Sequence, residues 1–175
     1  KDYLLGARGP QDIELASAEW FAEHRVTVLT GRAVALRPDE ATVVLDDGRE
    51  VTGDKVVLAT GGTARRLAIP GGDLDSVLEL RTREDADRLR SVLKPGARLA
   101  IIGAGLIGAE VASSALPFGA EVVLIDPVDP PLVPAVGHEL ARRLHDMHPE
   151  RGVRVVTGIP TAISRDNGGH HVAMA

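Results

Sequence analysis

Arg98-Leu-Ala-Ile-Ile-Gly103-Ala-Gly105-Leu-Ile-Gly108-Ala-Glu110 carries an apolar run directly into three glycines spaced Gly-x-Gly-x-x-Gly, and then into a helix-favouring stretch. At the point where a strand turns into a helix, each glycine of such a set has its own task. Gly103 permits the tight turn, Gly105 lets a pyrophosphate approach the backbone without meeting a Cβ, and Gly108 lets the helix lie close to the strand. The N–H groups of the first helical turn have no partner inside the helix, so an anion is their natural acceptor. Gly103, Ala104, Gly105, Leu106, Ile107 and Gly108 are therefore the candidate nucleotide-binding positions. Either FAD or NAD can occupy this motif, and the motif alone leaves the nucleotide open.

The next apolar strand, Glu121-Val-Val-Leu-Ile, ends in Asp126, 23 residues after Gly103. That is close to the offset of about 20 at which an acid meets the ribose of a bound dinucleotide. A carboxylate there accepts hydrogen bonds from both ribose hydroxyls and repels a 2′-phosphate. Pro127-Val-Asp-Pro supplies no Arg to offset that repulsion, so NAD is favoured over NADP.

Outward from this unit, the pattern predicts strands at 98–102, 121–126 and 153–157 alternating with helices at about 106–119 and 136–148, the order of a parallel sheet. Thr82 can cap a helix from about 83 to 93, with Ala86, Leu89, Val92 and Leu93 as its buried stripe, and Pro95-Gly96 ends it. Nearer the start, Ile13, Ala16 and Trp20 recur about one turn apart and predict an amphipathic helix over 13–24. Val26-Thr-Val-Leu, Arg32-Ala-Val-Ala-Leu and Ala41-Thr-Val-Val-Leu read as short antiparallel strands. Asp47-Gly48 signals a two-residue hairpin turn pairing Thr42–Leu45 with Glu50–Thr52. Lys55-Val-Val-Leu-Ala reads as a buried strand running into the turn Thr60-Gly61-Gly62.

Composition narrows the rest. With 175 residues, 44% apolar and 26% charged, the chain is an ordinary globular one. A net charge of −5 argues against nucleic acid, whose phosphates need a surplus of Lys and Arg. The apolar runs are far short of the ~20 residues a membrane-spanning helix needs. A chain without Cys fits a reducing compartment, with the cytoplasm as the default, and the sequence opens without Met, as a piece of a longer protein would. His145 and His148 lie three apart on a predicted helix, but His138 falls on another face and no Cys completes a ligand set, so no metal site is expected. The Arg81, Arg83, Arg88 and Arg90 cluster is interspersed with acids and reads as a solvated helix face.

Taken together with Lys1-Asp-Tyr-Leu, Val57-Leu-Ala-Thr-Gly-Gly62 and Leu80-Arg-Thr-Arg-Glu-Asp-Ala86, the glycine motif makes the chain resemble NADH-dependent ferredoxin reductases. These are the oxygenase-coupled branch of the pyridine nucleotide-disulfide oxidoreductase superfamily, and the likeness covers almost the whole chain. It implies an α/β fold of two Rossmann-like dinucleotide-binding domains. Residues 1–72 would be the later part of an FAD domain with a short antiparallel meander. Residues 73–175 would be most of an inserted NAD domain with a parallel sheet. It implies further that Lys1 sits beside the flavin ring and that Glu110 pairs with it near the nicotinamide, as catalytic residues. Ala59, Thr60, Gly61 and Arg65 would contact FAD, and the backbone of Val34 would meet the adenine.

The function so implied is hydride transfer from NADH to FAD, then single-electron transfer to a ferredoxin-type iron–sulfur protein serving an oxygenase or cytochrome P450. Two rivals stand beside it. One is another FAD enzyme of the same build, such as an NADH oxidase, a CoA-disulfide reductase or a nitrite reductase flavin subunit. Some of these carry a reactive Cys near the place of Lys1, so Lys1 counts against the thiol-using branches. The other is a non-catalytic NAD sensor, for which Lys1 and Glu110 make little sense. As a free chain of 175 residues, weak FAD binding and no turnover are expected.

Overall fold

A computed structural model describes residues 1–167 and 169–175. In chain order its elements are α1 (Asp2–Leu5), α2 (Ala18–Glu23), β1 (Ala33–Arg37), β2 (Thr42–Leu45), β3 (Glu50–Thr52), α3 (Arg83–Val92), β4 (Arg98–Ile102), α4 (Leu106–Ala115), β5 (Glu121–Asp126), α5 (Val133–Val136), α6 (His138–Glu150), β6 (Arg154–Thr157), β7 (Pro160–Asp166) and β8 (Gly169–Met174). They fall into two compact units, Glu14–Gly62 and a second one made of Lys1–Ile13 with Thr63–Ala175.

The Glu14–Gly62 unit is built on an antiparallel meander, β1-β2-β3. The two segments predicted to form its hairpin pair as expected, but one residue out of the register that a two-residue turn at Asp47-Gly48 would set, with Thr42 opposite Thr52 and Val44 opposite Glu50. The connecting loop, however, has three residues rather than two, because Leu45 N–H donates to Arg49 O and encloses Asp46-Asp47-Gly48. In β1, Ala33 faces Leu45 while Ala35 faces Val44, so Val34 is the extra residue of a β-bulge.

Three predicted elements of this unit are corrected. The helix over 13–24 begins only at Ala18, where the Ser17 hydroxyl accepts the Trp20 N–H as an N-cap and so fixes the start. Residues 26–29 are not a strand, and Val28 and Leu29 are exposed. Lys55–Ala59 is likewise neither strand nor buried, with Val57 85% and Leu58 70% exposed. A strand exists only through the partner that satisfies its N–H and C=O groups. Among the described residues neither run has one, whatever its apolar content.

The larger unit centres on a parallel sheet of order β4-β5-β6, in which Arg98–Ile102 pairs with Glu121–Ile125 and Val123–Asp126 with Arg154–Thr157. α4 and α6 supply the crossovers that parallel strands require. The helix predicted at about 136–148 is α6, preceded across Gly137 by the unpredicted short α5, and the helix predicted over about 106–119 ends at Ala115, where a 3-10 turn at Leu116–Phe118 takes over. Leu124, Ala112, Ala115 and Ala141 are fully buried, and Leu89, Leu93, Val111 and Val122 close the core around them. Of the stripe predicted for α3, Leu89 and Leu93 are buried while Val92 faces solvent. α3 starts in a capping box: the Thr82 hydroxyl accepts the Asp85 N–H, and the Asp85 carboxylate accepts the N–H groups of Thr82 and Arg81. Those two backbone hydrogen bonds, that of Thr82 first, hold the Asp85 carboxyl below its ordinary range. The β7–β8 hairpin closes the unit, with Ile163 N–H donating to Pro70 O. Among the described residues no helix is long and apolar enough to cross a membrane.

Candidate functional site

The glycine turn sits at the carboxyl end of the parallel sheet. Gly103 N–H donates to Ile125 O, continuing the ladder one residue past β4, and then its φ of +103° swings the chain away. An L side chain resists that value, so the turn needs glycine at 103. Gly105 caps α4 with no side chain to accept the first N–H groups, and the first helical bond is Ala109 N–H to Gly105 O. The N–H groups of Leu106, Ile107 and Gly108 precede that bond and have no acceptor within the helix. Leu106 and Ile107 are exposed. Around Gly105 nothing lies within 4 Å of where a Cβ would be, so the space beside this backbone is open. At Gly108 the reverse holds, since a Cβ would overlap the Gly103 carbonyl oxygen. Packing therefore demands glycine at 108, whereas at 105 the protein alone would admit a side chain and the space is left open.

Asp126 ends β5 beside this turn. Its Oδ2 accepts the Ala104 N–H at 2.7 Å and its Oδ1 accepts the Val128 N–H at 2.9 Å. Each oxygen of a carboxylate has about two acceptor directions, so both retain one for a ribose hydroxyl. Sequence reasoning assigned Asp126 to the ribose and missed that the same carboxylate shapes the loop. It also missed Arg142 of α6, whose Nη1 reaches Asp129 Oδ1 at 2.7 Å in the loop after β5. Only the packing of a helix 13 residues away could reveal that pair.

Lys1 and Glu110 line one cleft of about 250 Å3, together with Tyr3, Arg81, Ile107 and Ser114. Both are exposed, and no ion pair joins them. The Glu110 carbonyl accepts the hydroxyls of Ser113 and Ser114, while its carboxylate projects from the α4 surface one turn beyond Leu106. A second cleft, lined by Leu106, Ala109, His145, His148 and Arg151, runs between α4 and α6. There burial, then the nearby charges of His145 and Arg151, push the His148 imidazole below its ordinary value. His145 is buried with its Nδ1 unpartnered. Among the described residues no group of three or more His, Asp or Glu could hold a metal ion.

The remaining candidates are apart from these. Val34, Ala59, Thr60 and Gly61 belong to the Glu14–Gly62 unit, all exposed, with Val34 on the bulge of β1. Arg65 belongs to the larger unit and is also exposed.

A family model described as pyridine nucleotide-disulphide oxidoreductase matches residues 2–174. The chain is 42% identical over 160 residues to the ferredoxin reductase component of chlorobenzene dioxygenase from Cupriavidus sp. (strain PS12), covering 91% of this chain and 39% of that protein. It is 38% identical over 153 residues to the ferredoxin--NAD(+) reductase subunit of the benzene 1,2-dioxygenase system of Pseudomonas putida, covering 87% and 37%. Among solved structures, a ferredoxin reductase from Rhodopseudomonas palustris superposes with a TM-score of 0.84 at 27% identity, over 95% of this chain and 42% of that one. The covalent putidaredoxin reductase–putidaredoxin complex gives 0.81 at 30% identity, over 98% and 42%. The chain thus spans roughly two fifths of the length of the relatives it matches.

Proposed function

The chain belongs to the pyridine nucleotide-disulphide oxidoreductase family, and from that membership we propose that it is part of a longer FAD-containing ferredoxin reductase. That enzyme takes hydride from NADH and delivers single electrons to a ferredoxin-type iron–sulfur protein serving an oxygenase or cytochrome P450. The observation that carries the reading is the glycine turn with Asp126 clamped beside it, on a unit that also brings Lys1 and Glu110 into one cleft. The similarity to ferredoxin reductase components supports the choice of acceptor.

The NAD site fits its ligand. Open space beside Gly105 admits a pyrophosphate to the N–H groups of Leu106, Ile107 and Gly108. The two spare acceptor directions of Asp126 suit a ribose diol and oppose a 2′-phosphate, so NADH is the donor. Bound FAD supplies the change from two-electron to one-electron transfer. Lys1 would stabilise negative charge that develops at the flavin ring, and Glu110 would hold the Lys1 ammonium in place near the nicotinamide. Ala59, Thr60, Gly61, Arg65 and the Val34 backbone would complete the flavin side. We divide the chain functionally as 1–72 for FAD and 73–175 for NAD, and place the enzyme in the cytoplasm.

The test is to express the full-length protein, record its visible spectrum, and add NADH or NADPH without oxygen. Flavin bands that bleach much faster with NADH than with NADPH are expected. A colourless protein that still binds NAD would overturn the reductase reading in favour of a nucleotide sensor.

A further inference from the structure

α1 has only four residues, too few to hold a helix in water by themselves, so its placement comes from what it touches. Leu4 is 5% exposed and lies in the core cluster with Leu89, Leu93 and Val111. Burying Leu4 turns that face of α1 to the core, but apolar burial has no direction of its own and sets the roll of α1 only loosely. The directional contact is Tyr3, whose Oη donates to Asp87 Oδ1 of α3 at 2.6 Å. A hydroxyl bonded to a carboxylate is short and strong for its class. The same bond holds the Tyr3 phenol above its ordinary pKa, which keeps the proton on the donor. α1 then ends at Gly6, where a Cβ would press on the Arg90 guanidinium of α3. Two residues before Tyr3 stands Lys1, and both line the cleft that holds Glu110.

We propose that Tyr3, held by Asp87, is a positioning residue that fixes the roll of α1 on α3 and so keeps the Lys1 ammonium at the mouth of the Glu110 cleft. The purpose of that placement rests on the reductase reading; the placement itself rests on the contacts of α1 alone. Tyr3 touches no reacting atom. Its effect is exerted through Lys1, and its loss is a loss of alignment rather than of nucleotide affinity.

In the full-length protein, Tyr3→Phe removes the hydroxyl and keeps the ring, so the Leu4 anchor and the fold survive. Flavin bleaching at saturating NADH should slow about tenfold, the scale of a small misalignment of a reacting group. KM for NADH should stay within about twofold, because the glycine turn and Asp126 are untouched. Asp87→Ala should match Tyr3→Phe, and the double variant should be no slower than either. Asp87→Asn, whose amide oxygen can still accept the phenol proton, should restore most of the rate.

A second readout does not depend on turnover. Amide exchange in the peptide covering α1, where Leu5 N–H is bonded to Lys1 O, should speed up in Tyr3→Phe and Asp87→Ala and not in Asp87→Asn. Unchanged exchange would overturn the proposal, as would faster exchange with an unaltered bleaching rate, which would make the bond merely structural. An unmutated flavoprotein that NADH fails to bleach would overturn the reductase reading, and with it the catalytic purpose of the placement.

Discussion

Gly105 and Gly108 are three residues apart in one motif, yet they answer to different forces, and substitution separates them. Gly105→Ala adds a methyl to open space, so the unfolding midpoint should stay within about a degree while NADH affinity falls at least about tenfold, because the methyl stands where the pyrophosphate would come. Gly108→Ala drives a methyl into the Gly103 carbonyl. Overpacking of that kind costs about 1–3 kcal/mol, so both stability and affinity should drop. Paired thermal melts and nicotinamide fluorescence titrations read the difference. Asp126 combines the two roles in one side chain. Asp126→Ala strands the N–H of Ala104, a residue 1% exposed, at a cost of about 1–3 kcal/mol. The melting temperature should fall, and the NADH-over-NADPH ratio of kcat/KM should shrink, mostly through weaker NADH. An unchanged ratio would remove Asp126 from the specificity role.

Among the elements, the legible ones are those whose partners lie close by in sequence. β4 and β5 have the predicted bounds because one crossover helix joins them and each supplies the other's hydrogen bonds. β2 and β3 pair as predicted because a tight hairpin joins them, while the extra loop residue that moves their register by one was not legible. Lys55–Ala59 fails the comparison, since apolar composition proposes a strand but only a neighbour makes one. α6 shows a consequence that periodicity could not reveal, the unequal burial of its histidines. His148 titrates below its ordinary value in the folded protein and near 6.5 when unfolded, so between those values the unfolded chain binds more protons. Stability should therefore be level above about pH 6.5 and fall as pH drops below it, until the folded-state pKa is passed. His148→Gln should flatten that part of the curve. The check is a series of chemical denaturations between neutral and mildly acidic pH.

For the molecule as a whole, the geometry of the glycine turn was readable and the surroundings of the residues assigned to flavin much less so. The first is a local unit whose strand, turn, helix and acid all fall within residues 98–126, and a local unit carries its own geometry. Val34, Ala59, Thr60, Gly61 and Arg65 were reachable only by resemblance, because in sequence a turn or an Arg that meets a ligand looks the same as one that meets only solvent. The two units predict different behaviour for the 175-residue chain produced alone. It should bind NADH through the glycine turn and be purified without visible flavin absorbance, since Val57 and Leu58 are left open to solvent in the unit assigned to FAD. A yellow product would show that the flavin needs less of the protein than proposed here.

The end of β5 also sets a schedule. Gly103 is bonded to Ile125, Ala104 to the Asp126 side chain, and Gly158 to the Asp126 carbonyl. The glycines are synthesised first, but the acceptors that bend them into a cradle lie more than 20 residues downstream. During synthesis, a chain emerging amino-terminus first has the motif before it has the shape. Capacity to hold a nucleotide should arrive abruptly once Asp126 has been translated and has docked, which makes dinucleotide capture a late marker of folding for this unit.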